Sequence, residues 1–208
     1  MPAWVTGFCD RSGSFGLTLY QQGVKWRVKA VFEILCDVRD VEVLKSIQQF
    51  LDVGKIYSTN NTATLRVTRI AELMTLIAHF NAYPLLSPKM VVYALWSEAV
   101  TMINASLHLT DEGFKRIIAL SSTLGRGLSA NAIQEFGIVT PIAMPEYTPS
   151  VDANSIDRWW ISGFFTLYCN FSLKLDSGYW NNAPYNKFRH VFSVSFDACL
   201  GVLVLQTR

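Results

Sequence analysis

Trp4–Phe15 reads WVTGFCDRSGSF, and Trp160–Phe171 reads WISGFFTLYCNF. Laid on one another, Trp4 meets Trp160, Gly7 meets Gly163, Phe8 meets Phe164 and Phe15 meets Phe171. Each copy starts as an apolar run of helix length and leads into the alternating residues of a strand. Two copies of one helix-to-strand unit predict an internal pseudo-two-fold. Gly7 and Gly163 lack side chains, so the spacing predicts two helices that cross with their backbones close.

The two motifs, with RVTRIAELMTLIAHFNAYPLL from Arg66 running on through SPK to HLTDEGFKRIIALSSTLGRGLS ending at Ser129, resemble the LAGLIDADG homing-endonuclease and maturase family. The likeness is to its single-chain, two-repeat group and covers most of the chain. It implies an α+β fold with antiparallel, saddle-shaped sheets, helices packed behind them, and an incomplete second half. In active members the last acid of each motif sits at the base of its helix and holds the metal ions that cleave a phosphodiester. That pattern places the acids at Ser12 and Tyr168. A serine hydroxyl or a phenol is neutral at pH 7 and a poor ligand for a hard cation. The reading from sequence is therefore no catalytic residue, no metal, no cofactor and no enzyme activity. Asp10 survives, but it aligns with an earlier motif position that is not the family's metal ligand.

Composition narrows the class. The chain has 208 residues, half of them hydrophobic, and a formal net charge of only +2. That is enough chain for one or two cores. The charge is lower than that of many isolated DNA-binding domains. No apolar run reaches the roughly 18 residues of a membrane span. Cys9, Cys36, Cys169 and Cys199 show no C-x-x-C pairing and read as buried free thiols. No secretory signal or Arg-rich leader precedes the first motif. The resemblance implies an organelle, a mitochondrion or a chloroplast, because such genes are common in organelle introns, and the mitochondrion is the expectation taken forward.

From Val24 to Cys36 the alternation is clear, with Lys25, Arg27, Lys29 and Glu33 on one face and Trp26, Val28, Ala30, Phe32 and Ile34 on the other. A sheet with one apolar and one cationic face suits a nucleic-acid backbone. Arg66, on a hairpin around Asn60-Asn61, extends that face by parity, and Lys187 and Arg189 repeat it in the second copy. The resemblance singles out Lys89, since active relatives keep a lysine by the scissile phosphate near this place. Leu73, Leu76, Ile77 and Phe80 mark a buried helix face, with His79 beside it as a structural residue. Thr110 reads as a helix N-cap.

Residues 1–128 form the first repeat with its following helices, 129–157 the inter-repeat linker, rich in proline, and 158–208 a truncated second repeat. Repeat one continues past its second strand through a helix, a hairpin and another helix, and repeat two has far less chain left. A half-sheet exposes strand edges, so a protein neighbour or an RNA surface is expected over 171–208, the apolar tail Leu200–Leu205 included. The function read from this is a catalytically inactive RNA-binding protein in an organellar ribonucleoprotein, such as the mitochondrial ribosome, with rRNA or intron RNA as partner. The alternatives are an intron maturase, an active DNA homing endonuclease recruiting Asp10, Glu33 or Asp157, and a protein-interaction remnant.

Overall fold

The structure is a computed structural model that describes residues 1–124, 127–147, 156–166, 169–180 and 183–194. It divides into a larger unit, Met1–Phe164, and a smaller one, Phe165–Arg208. The larger begins with helix α1 (Pro2–Ser12), which passes into β1 (Gly13–Gln22). A two-residue loop follows, opened by Gly23 at φ +63, a left-handed conformation that costs glycine little. Next come β2 (Lys25–Asp37), α2 (Val41–Leu51), β3 (Lys55–Ser58) and β4 (Thr62–Val67). Helices α3 (Ile70–Ala82), α4 (Lys89–Asn104), α5 (Asp111–Leu124), α6 (Ala130–Phe136) and α7 (Arg158–Phe165) complete the helical part.

The four strands form one antiparallel sheet in the order β1-β2-β4-β3. Its register explains its two faces. Phe15 pairs with Phe32, Leu17 with Ala30, Phe32 with Val67 and Ile34 with Leu65, so the apolar residues share one side. All of them are buried. Thr18 pairs with Lys29, Tyr20 with Arg27 and Gln22 with Lys25 on the other side, where every one of these residues is exposed. The α+β LAGLIDADG expectation, helices behind an antiparallel sheet, therefore holds.

Phe15 is the centre of the core. Its ring lies 5.0 Å from Trp96, 5.2 Å from Phe32 and 5.5 Å from Tyr93, centre to centre. Tilted aromatic packing of this kind adds to plain area burial. The two polar tips are satisfied: Trp96 Nε1 donates to the Gly16 carbonyl at 3.1 Å and Tyr93 Oη to that of Ile77 at 3.2 Å. Thr110 caps α5, its Oγ1 accepting the Gly113 amide at 3.1 Å.

The linker is not irregular throughout. It contains α6, whose amide at Ala132 donates to Ser129 Oγ. Phe136 then packs edge-on against Trp26 and Phe114, with ring centres 5.1 Å and 5.7 Å away. The proline content hid this short helix. In the smaller unit, β5 (Cys169–Trp180) and β6 (Ala183–Val194) form an antiparallel hairpin. The tail at Leu200–Leu205 lies outside the described residues, as does Tyr168. Among the described residues no helix is long and apolar enough to cross a membrane.

His79 is tied into this core from α3. Its Nε2 meets Thr6 Oγ1 at 3.1 Å, and the same hydroxyl donates to the Tyr83 carbonyl at 3.1 Å. Burial drives the imidazole pKa down from 6.5 to about 4. Between those values the unfolded chain binds the proton and the folded one does not, so acid favours unfolding. Stability is therefore full above about pH 6.5 and falls as the pH drops towards 4. The ring is partly solvated, which reduces the effect to about 1–2 kcal/mol. Urea midpoints at pH 7 and pH 4.5 check this, the drop being smaller in His79→Gln than in the parent by that amount.

Candidate nucleic-acid interface

Helix α1 runs directly into β1, so its packing against α7 sets where that strand begins. A Cβ added to Gly7 would stand 2.0 Å from the Trp160 carbonyl oxygen. A Cβ added to Gly163 would stand 2.0 Å from the Trp4 carbonyl oxygen. The reciprocity is the pseudo-two-fold read from the motifs. Each helix also carries the same stacked pair, Trp4 on Phe8 at 5.4 Å and Trp160 on Phe164 at 4.9 Å. Small residues at a crossing let two backbones meet, and no other residue fits here.

At the foot of α1 two charged groups are used internally. Asp10, 2% exposed, accepts the Leu86 amide at 2.6 Å, the Ser87 amide at 3.0 Å and the Ser87 hydroxyl. Burial pushes its carboxyl pKa up, against the lowering pull of these donors and of Lys89. In return Lys89, the first residue of α4, sends its ammonium to α1. Nζ donates to the Gly13 carbonyl at 2.6 Å and the Arg11 carbonyl at 3.1 Å. A cation at the carbonyl end of a helix is favourable. The two contacts lock α1 to the start of α4 from both sides. Cys9, buried beside them, has its thiol pKa pushed up to about 12 by desolvation and is chemically quiet.

The family's chemistry asks for a divalent cation at this foot. The donors of α1 do not fit one. The motif's acid position holds Ser12, whose buried hydroxyl has no partner among the described residues. The nearby carbonyls face an ammonium, and Asp10 is spent on the turn before α4. Among the described residues no three His, Cys, Asp or Glu side chains gather as a metal cluster.

The sheet face divides the residues expected to bind nucleic acid. Lys25, Arg27 and Lys29 stand exposed in one row along β2, spaced about 6.6 Å apart by the strand rise. Arg66 lies on the same face but is engaged, hydrogen-bonded to Glu33 and set 5.7 Å over the Tyr57 ring. Lys89 is half-buried and directs its ammonium to the carbonyls at the foot of α1. Lys187 and Arg189 lie on β6 of the smaller unit, paired with Asp176 and Lys174. Sequence reading passed over Lys55 and Tyr57, which join the face through the β3–β4 pairing, Lys55 opposite Arg66 and Tyr57 opposite Thr64. Their parity with Arg66 was the available signal.

The model for the LAGLIDADG endonuclease family matches residues 5–100. The crystal structure of the LAGLIDADG homing endonuclease I-GzeII in complex with its DNA target superimposes with a TM-score of 0.81 at 26% identity, covering 93% of this chain and 65% of that one. Residues 5–100 thus match the LAGLIDADG endonuclease family, and the chain has the fold of LAGLIDADG homing endonucleases. Probable intron-encoded endonuclease 3 of Neurospora crassa is 31% identical over 181 residues, 84% of this chain and 34% of the relative. An uncharacterized 50.9 kDa protein in ND4 intron 1 of Podospora anserina is 35% identical over 117 residues, 52% of this chain and 26% of that protein. The chain thus spans about a quarter to a third of the length of these curated relatives.

These likenesses overturn one expectation. The chain was read as no enzyme because Ser12 and Tyr168 replace the motif acids. Its LAGLIDADG relatives are named intron-encoded endonucleases and its structural neighbours are homing endonucleases, which points to nuclease activity. Ser12 at the acid position does not establish the loss of that activity. A ribosomal niche and RNA as the partner find no support among these LAGLIDADG proteins.

Proposed function

We propose that the chain serves intron-encoded DNA cleavage of the LAGLIDADG type, gripping duplex DNA on the exposed face of the β1–β4 sheet. The observation that carries this reading is the row Lys25, Arg27 and Lys29, all exposed and opposite Gln22, Tyr20 and Thr18. The cations supply phosphate contacts, which dominate affinity. The uncharged partners bring amide and hydroxyl groups that hydrogen-bond base edges in a groove wide enough for a two-stranded ribbon. DNA in the structural neighbour and an intron location in the relatives support the same reading and an organellar, mitochondrial setting. Lys89 and Asp10 act here as positioning residues, fixing the point at which α1 becomes β1.

Selection from a random duplex DNA library tests this. Enrichment of one duplex sequence is the expected result. Absence of enrichment, or preference for a folded RNA of equal length, would contradict it. Within that assay, Arg27→Glu makes the slope of log K against log salt shallower by about one phosphate contact and weakens binding uniformly across sequences. An unchanged slope would remove β2 from the interface.

A further inference from the structure

A second basic cluster lies beyond the row on β2, and strand alternation alone does not place it. Between β3, the end of β4 and the first turn of α3 is a pocket of about 140 Å³, lined among others by Lys55, Tyr57, Arg66, Thr68, Arg69 and Glu72. Lys55 and Arg66 face each other directly across the strands. Like charges in that position repel unless an anion or a carboxylate lies between or beside them. Glu33 serves Arg66. Among the residues lining the pocket, Glu72 is the one carboxylate, and its two oxygens are taken by the Gly54 amide at 3.1 Å and Arg69 Nη1 at 3.4 Å.

Three cations therefore converge on a small polar recess that holds one committed carboxylate. Thr68 and Tyr57 add hydroxyl groups at its wall. Arg69 is the N-cap of α3 and makes no side-chain cap hydrogen bond, so the first amides of a 13-residue helix add their positive end to the same place. The arginines offer planar, forked donors that suit a tetrahedral oxyanion, and the lysine offers a point charge.

We propose that this pocket is a phosphate subsite, and that it takes one backbone phosphodiester of the DNA beyond the base-reading part of the sheet. The second half of the statement rests on the DNA-binding reading above. The pocket lengthens the footprint past β2 and anchors the duplex at the β3 edge. Arg66 keeps Glu33 and Arg69 shares Glu72, so Lys55, with Arg69 beside it at the start of α3, carries most of the contact.

Two measurements on the whole chain test the two halves separately. The first titrates inorganic phosphate and follows backbone amides by NMR. Shifts confined to residues 54–55 and 68–71 are expected, and they vanish in the Lys55→Ala/Arg69→Ala variant. No shift there, or shifts that persist in the variant, overturns the subsite whether or not DNA binds. The second compares duplex affinity and its salt slope. The double variant should bind roughly tenfold more weakly, with a slope shallower by about 0.9 for the one phosphate lost. Glu72→Gln keeps an acceptor for the Gly54 amide and removes the negative charge, so it should bind DNA more tightly. A double variant with parental affinity and slope overturns the assignment to DNA backbone, and a phosphate response in a protein that binds no duplex assigns the pocket to a free phosphate instead.

Discussion

Gly7→Ala lowers the melting temperature by roughly 6–12 °C, a loss of about 3 kcal/mol for a chain of this size. The sign is the informative part. In an exposed helix the same change stabilises by about 0.5–1 kcal/mol, because alanine has the higher helix propensity. Here the new methyl would stand 2.0 Å from the backbone oxygen of Trp160. A backbone carbonyl cannot rotate away as a side chain can, so the helices must part. Parting them disturbs the stacked Trp4–Phe8 and Trp160–Phe164 pairs together. Gly163→Ala should cost a similar amount, since it meets the Trp4 carbonyl at the same 2.0 Å. The two changes strain one crossing, so the double variant loses much less than the sum of the singles. Differential scanning calorimetry of the three variants reads this. Additive losses, or a gain from either single change, would mean that α1 and α7 do not meet at these glycines.

Asp10→Ala is the second large effect, at about 3 kcal/mol, read as a lower urea midpoint at unchanged slope. The carboxylate accepts from the Leu86 amide, the Ser87 amide and the Ser87 hydroxyl, and it is 2% exposed. Removing it leaves buried donors without acceptors, and each costs more than the original bond contributed. The loss should appear with and without magnesium. A carboxylate whose work is to hold a metal behaves oppositely, its removal leaving metal-free stability unchanged or raised. A variant of parental stability without metal would therefore return Asp10 to the list of candidate ligands.

Much of this architecture could be read from residue order. Gly7 and Gly163 fall at one position of a repeated motif, and the alternation from Lys25 to Ile34 alone separates a cationic face from a core face. What escaped was set by contacts far apart in sequence. Asp10 meets Ser87, and Lys89 meets Gly13, through a turn whose direction no local pattern gives. Glu33 shares its parity with the β2 row, and its pairing with Arg66 follows only from the β2–β4 register. The pocket beside Arg69 needed β3, β4 and α3 together. The largest misreading was chemical. Ser12 at the motif's acid position does not by itself decide the activity of the chain, since relatives of the same family pattern are named endonucleases.

The account turns on which surface meets DNA, and lysine-directed chemical footprinting reports that directly. With saturating duplex, Lys25 and Lys29 on the sheet face should be protected, while Lys45 on α2 and Lys115 on α5, both exposed, should react as in the free protein. Protection of Lys45 and Lys115 with Lys25 and Lys29 still reactive would contradict it.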